Sequence, residues 1–226
     1  MAKKNQVEEQ STIDKLNANL GSASEKIAEN KKIIFWVCGG LAVIAAFVLS
    51  YLFIYRNPKL NKADEAFNQV EISSMGSDSI AAAEYKKVAD NYGGTSSGAN
   101  AALAAAESYY TLGQYKEALA CLDKADISEP VLSANAIVLK GDCYVNLQKY
   151  DDALDCFKKA VGKADKNPQI VPRVLLKEVS VYEAQKKYDK ALECLEQIKN
   201  EYPMFKPGNG IDIDAYIARE KARLGK

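Results

Sequence analysis

The sequence predicts an all-α protein, in which a single N-terminal transmembrane helix precedes an α-solenoid of about three full helical repeats with capping helices. Residues 33–55 contain no Asp, Glu, Lys or Arg, and three similar segments recur further along the chain. Only 6 of the 226 residues are proline and 13 are glycine, the two residue types that most disfavour helix interiors. Lys+Arg and Asp+Glu both number 30, so net charge does not indicate a nucleic-acid partner.

Residues 1–32 form a polar N-terminal tail. Within it, Ile13, Leu16 and Leu20 fall on one face of a helix if the segment is helical. Two interpretations remain open, a short amphipathic helix that touches the membrane or a partner, and a disordered segment.

Residues 33–55 predict a transmembrane helix. Its 23 residues would extend roughly 34 Å at about 1.5 Å per residue, against a hydrocarbon core about 30 Å thick. Trp36 and Tyr55 lie near its ends, as interfacial aromatic residues do. The length argues against a buried core helix. The long preceding region, with five acidic residues, argues against a signal peptide, so we expect an uncleaved anchor.

Flanking charge does not orient this helix. The cations on the two sides number three and three, namely Lys26, Lys31 and Lys32 before the helix and Arg56, Lys59 and Lys62 after it.

Three aligned segments, 113–125, 148–160 and 186–198, indicate repeats. Equivalent positions hold Tyr115, Tyr150 and Tyr188, with spacings of 35 and 38 residues, and Ala118, Ala153 and Ala191. A second helical stretch precedes each segment and carries a tyrosine six residues earlier. The pattern resembles the tetratricopeptide repeat, with repeats near 99–132, 134–168 and 172–205 in a domain spanning 59–226. A short insertion in 162–168 is expected to account for the longer spacing.

Small residues explain why such helix pairs form. Ala106 and Gly141 would let the first helix of a pair (helix A) approach the second (helix B) closely. Because a solenoid must cover its terminal apolar faces, we expect capping helices at both ends. Residues 59–70 and 78–92 form the first cap, and 212–224 the last, with Asp212 or Asp214 as its N-cap residue. Residues 93–98 are expected to form a loop.

The cysteines invite a redox or metal interpretation, but three of the five, Cys121, Cys156 and Cys194, share one repeat position. Equivalent positions of neighbouring repeats lie about 8–10 Å or more apart, beyond disulfide reach. Histidine is absent and no CxxC occurs, so we expect small buried hydrophobic residues and no metal site. No nucleotide-binding loop or nucleophile motif is present. We therefore expect a protein that is not an enzyme and has no cofactor.

The remaining functional surface is the concave side of the solenoid. Helix A residues that avoid helix B are predicted to form a partner-binding groove: Asn100, Leu103, Glu107, Tyr110, Asn135, Val138, Asp142, Asn146, Arg173, Leu176 and Ser180. The alternative is a merely solvated face. A clamp for C-terminal carboxylates would suit Arg173 and Lys177. However, Leu103, Glu107 and Leu139 stand where that clamp needs basic or amide side chains.

Two segments stand out beside the repeats, YKKVADNYGGTSSGANA (85–101) and EYP (201–203). With these segments, the layout resembles the YfgM-type ancillary subunits of the Sec translocon, particularly in Bacteroides-like bacteria. The resemblance implies a single-pass protein of the bacterial inner membrane, with a cytoplasmic N-terminus and periplasmic repeats. Its implied role is to assist exported proteins, with translocon subunits, a periplasmic chaperone or exported clients as partners. The alternative is an envelope-assembly or oligomeric scaffold that links membrane complexes without handling clients. Neither role needs nucleic acid or a small-molecule substrate.

Overall fold

The computed structural model describes residues 31–74, 76–208, 210 and 212–225, except for the side chain of Ile34. These residues form helices and loops without a strand, which confirms the all-α prediction. The chain divides into two compact units, Met1–Pro58 and Lys59–Lys226. The amphipathic helix considered for the N-terminal tail lies outside the described residues.

The first unit contains the apolar stretch. Helix α1 (Lys31–Ser50) leads into a π-helical segment, Tyr51–Arg56. Its large side chains are exposed, Trp36 and Ile54 to 78% each. Among the described residues, one helical stretch is long and apolar enough to cross a membrane, and none of its apolar window is covered by the rest of the protein.

The second unit is a series of antiparallel helix pairs. The helices are α2 (Asn57–Ser73), α3 (Asp78–Asn91), α4 (Ser96–Thr111), α5 (Tyr115–Leu122), α6 (Pro130–Asn146), α7 (Tyr150–Lys163), α8 (Val171–Ala184), α9 (Tyr188–Glu201) and α10 (Ile213–Arg223). The pairs α4/α5, α6/α7 and α8/α9 correspond to the three predicted repeats, and α10 packs on α9.

Helices α2 and α3 lie at the N-terminal end of the repeats and contact each other through aromatic side chains. Phe67 of α2 packs on Tyr85 of α3 with ring centroids 5.3 Å apart. Near the other end of the pair, Lys59 Nζ donates to the carbonyl of Gly93 at 3.2 Å. Exposed Asn61 and Glu65 lie on the opposite side of α2, and this polar outer face is what a terminal solenoid helix requires.

The expected loop at 93–98 is shorter than predicted, because α4 begins at Ser96. Thr95 caps this helix by accepting a hydrogen bond from the backbone N–H of Gly98 at 3.0 Å. A Cβ atom on Gly98 would lie 2.1 Å from the carbonyl oxygen of Tyr92. Glycine is therefore needed here for close approach between α4 and the preceding turn, rather than for loop flexibility.

The prediction that an insertion at 162–168 causes the longer repeat spacing is wrong. The connections 123–129 and 164–170 are equally long, whereas α7 has 14 residues and α5 has 8. The longer second B helix, partly offset by a shorter α8, produces the 38-residue spacing. Residues 162 and 163 belong to α7, whose apolar face continues to the half-buried Val161 and the buried Ala164.

The core follows the small-residue pattern. Phe157 is completely buried, and a Cβ atom on Gly141 would lie 2.4 Å from its ring. Ala106, Ala118, Ala153 and Ala191 are also completely buried. Glycine and alanine thus let the paired helices approach closely enough for the aromatic ring to fill the space between them.

The C-terminal cap buries charge as well as apolar surface. Asp212 caps α10, and Ile213 and Ile217 enter the core. Glu220 is completely buried, and Arg219 Nε and Arg223 Nη1 donate to its carboxylate at 2.9 and 3.0 Å. These contacts supply the partners that a buried carboxylate requires.

Candidate functional site

Helices α4 and α6 are linked through side chains predicted to line the groove. Asn146 Nδ2 donates to the hydroxyl oxygen of Tyr110 at 3.2 Å. The same amide donates to the backbone carbonyl of Asp142 at 2.9 Å, one turn earlier on α6. The structure therefore brings Tyr110, Asp142 and Asn146 together at the boundary between two A helices.

Helices α6 and α8 are linked by an ion pair in the same region. Lys177 Nζ lies 2.9 Å from both carboxylate oxygens of Asp142. Burial nevertheless raises the pKa of the Asp142 carboxyl, because desolvation outweighs the stabilising effect of Lys177.

Glu107 differs from Asp142 in having no cationic partner among the described residues. It lies three residues before Tyr110, on the same face of α4. The side chain reaches solvent, yet desolvation by neighbouring protein atoms raises the pKa of its carboxyl. The site thus contains one paired and one unpaired carboxylate.

Two predicted groove residues lie at clefts along the edge where the A helices begin. Asn100 borders a cleft of about 410 Å³ between the start of α4 and the loop after α5. Arg173 borders a cleft of about 350 Å³ between the start of α8 and the loop after α9. Met204, which is 89% exposed, lies on the second cleft. Arg173 has no acidic partner among the described residues.

The remaining predicted groove residues are less uniform. Asn135 and Ser180 are exposed, and the Ser180 hydroxyl donates to the carbonyl of Leu176 on its own helix. Val138 and Leu176 are half-buried and pack on the main core. Leu103 does not line the surface. It is only 6% exposed, because it belongs to the core cluster that α4 forms with α5 and α6.

Sequence reasoning left Lys177 out of the groove and considered it only for a carboxylate clamp. Its position 35 residues after Asp142 matches the repeat length and could have indicated a contact between neighbouring A helices. Glu183 was also missed. It binds Arg219 and Arg223 of α10 and continues the polar contacts to the C-terminal cap.

The cysteines of the solenoid are structural. Cys121, Cys143, Cys156 and Cys194 are buried and unpaired, which confirms the prediction of small buried hydrophobic residues. Burial raises the pKa of the Cys143 and Cys194 thiols to about 12 each, so their reactive thiolate forms are disfavoured. No group of three metal-ligating side chains converges among the described residues.

One buried acid lies on the opposite side of α8. Glu178 is 4% exposed, and Cys194 Sγ of α9 lies 3.9 Å from its Oε2. Desolvation raises the pKa of Glu178 to about 7, although Lys158 of α7 partly opposes the shift. This carboxyl faces the core between α8 and α9 and belongs to repeat packing.

An all-helical solenoid of antiparallel pairs, with polar contacts between its A helices, defines a helical-repeat fold of the protein-interaction scaffold class. The chain belongs to the family described as "Tetratricopeptide repeat protein 21 N-terminal ARM repeat", whose model matches residues 65–221.

Two solved structures of MamA have a similar fold. The first is 22% identical, with a TM-score of 0.53, and the match covers 67% of this chain and 81% of that one. The second is 20% identical, with a TM-score of 0.55, covering 74% and 83%. At these sequence identities, the comparison with MamA shows only that the two proteins share a fold. No curated protein matches the sequence.

Proposed function

We propose that the protein is a membrane-anchored scaffold that binds other polypeptides through the concave face of its repeats. The single observation that carries this proposal is the exposure of the apolar helix. Phe35, Trp36 and Phe47 are all more than 70% exposed, a state that water disfavours and lipid accommodates. The anchor would tether the repeats to a bilayer, where their raised local concentration makes weak contacts effective.

The more specific role that we propose is that of an ancillary subunit of the secretion translocon, which assists exported proteins. The support is the resemblance of the layout to YfgM-type subunits, a short polar tail, one apolar helix and a small repeat domain. On this proposal the N-terminus is cytoplasmic and the repeats are periplasmic in a bacterial inner membrane. The function needs no catalysis.

Topology is the first test. Cysteines would be introduced one at a time at Asn57 and at Ala2, in a chain whose Cys38 is replaced by serine. Intact cells would then be treated with an impermeant maleimide. We expect labelling at position 57 and none at position 2 until the cells are lysed. Equal protection of both positions, or recovery of the chain in the soluble fraction, would remove the anchored orientation.

Partner identity is the second test. Proximity labelling from a tag after Arg223 should enrich translocon subunits and newly exported proteins. If it enriches only another membrane assembly, and the full chain in lipid nanodiscs binds no unfolded polypeptide, the envelope-assembly scaffold replaces the translocon role.

A further inference from the structure

We propose that the concave face recognises a partner segment by a Lys or Arg side chain that docks at Glu107 and Tyr110. The occupant is an extended segment of another polypeptide that carries one basic residue. This inference rests on the proposed function of the concave face and adds the chemistry of its partner. Charge complementarity, repeat register and the fixed position of Tyr110 carry it.

The repeat register leaves Glu107 without a cation. Asp142 receives Lys177, which lies 35 residues later on the next A helix. The same step of 35 residues from Glu107 leads to Asp142, another acid. The ion pair between α6 and α8 therefore has no counterpart between α4 and α6, and no described residue forms an ion pair with Glu107.

The surroundings of Glu107 favour a bound cation over an empty site. Desolvation raises the pKa of its carboxyl, which means that the protein around it already weakens its hydration. An incoming ammonium or guanidinium would form a charge-assisted hydrogen bond with this carboxylate. A neutral or acidic side chain at the same place would leave the carboxylate without a partner, which costs binding energy.

Tyr110 supplies the second half of the site. Its hydroxyl accepts from Asn146, which holds the side chain against α6. Its ring also packs edge-on against Tyr115, with centroids 5.5 Å apart and planes at 62°. A carboxylate beside a fixed aromatic ring attracts Lys and Arg side chains through both charge and the ring face.

The opposite end of the same surface reverses the charge. Arg173 and Lys177 of α8 are cationic, and Arg173 forms no ion pair with an acid in the described part of the chain. The A helices thus present negative charge on α4 and positive charge on α8. This distribution of charge orients the bound segment with its basic residue toward α4. It disfavours a segment that is basic throughout.

The test uses the full chain in nanodiscs of neutral lipid and short fluorescent peptides of serine and leucine with one central Lys, Gln or Glu. We expect the Lys peptide to bind about three- to fivefold more tightly than the Gln peptide, a difference of about 0.7–1 kcal/mol. Glu107→Gln should remove this preference, and Glu107→Lys should transfer it to the Glu peptide. Glu117→Gln, at an exposed position of α5, is the matched control and should keep the Lys preference.

Binding of all three peptides with equal affinity would overturn the inference while leaving the concave face as a binding surface. Retention of the Lys preference in Glu107→Gln would overturn it as well. Failure of every peptide to bind the wild type would count against the proposed function itself. Circular dichroism of each variant excludes loss of folding as the cause.

Discussion

Gly141 and Phe157 are mutually dependent, because a Cβ atom at position 141 would lie 2.4 Å from Cε1 of the completely buried Phe157 ring. The two residues belong to α6 and α7, the paired helices of the central repeat. Glycine on one helix is therefore what permits an aromatic ring on the other, and the ring fills the space that a smaller side chain would leave empty.

Replacing Gly141 by alanine should destabilise the solenoid, although alanine favours helices. We expect the free energy of unfolding to fall by roughly 1–3 kcal/mol, because the added methyl group forces the ring or the helix to move. The measurement is urea unfolding of the full chain in detergent, followed by circular dichroism. Gly162→Ala is the matched control, since it lies in α7 with nothing within 4 Å of its added Cβ. It should be neutral or stabilising by up to about 1 kcal/mol.

Glu178 should make stability fall as pH rises. Because the folded chain holds the pKa near 7, above the ordinary value of 4.5, the unfolded chain loses its proton first between these values. Stability should therefore decline from pH 4.5 to about pH 7. Glu178→Gln should flatten that decline in unfolding measurements across this range. The control is Glu117→Gln, which changes an exposed carboxyl. A decline that persists unchanged in Glu178→Gln would contradict the assignment.

The Asp142–Lys177 pair should contribute little to stability. The side chains are 19% and 41% exposed, and partly exposed ion pairs are worth about 0.2–1 kcal/mol. A double-mutant cycle with Asp142→Asn and Lys177→Met should give a coupling energy in that range that shrinks at high salt. A coupling energy several times larger would mean that the pair holds the solenoid together, and not only its concave surface.

The buried cysteines should resist alkylation while the protein is folded. Burial raises the thiol pKa values, to about 12 for Cys143 and Cys194. In a Cys38→Ser chain we expect slow labelling by iodoacetamide at pH 8, which becomes fast in denaturant. Ser128→Cys, in an exposed loop, is the positive control and should react quickly in the folded state. Rapid reaction of the native cysteines would show that the helices that carry them open readily.

Much of the architecture could be predicted because it is repeated locally along the chain. Tyr115, Tyr150 and Tyr188 set the register of three helix pairs without any knowledge of tertiary contacts. The errors occurred where a contact between elements mattered. Gly98 was assigned to a loop, whereas its role is to permit the approach of the Tyr92 carbonyl.

The candidate site was only partly predictable for the same reason. Spacing placed Glu107, Tyr110, Asp142 and Asn146 on the A helices, but which side of each helix stays uncovered depends on how the next helix crosses it. That geometry buries Leu103 in a core cluster that also contains Ala136 of α6.

The sequence by itself determined the charge-free apolar helix, the helical repeats and the burial of the cysteines, since periodicity and composition are properties of neighbouring residues. Only the tertiary structure decided that Lys177 pairs with Asp142 and that Glu107 forms no ion pair with any residue the structure describes. It also decided that Glu178 is buried. These features depend on distances between helices, and a linear pattern does not contain such distances.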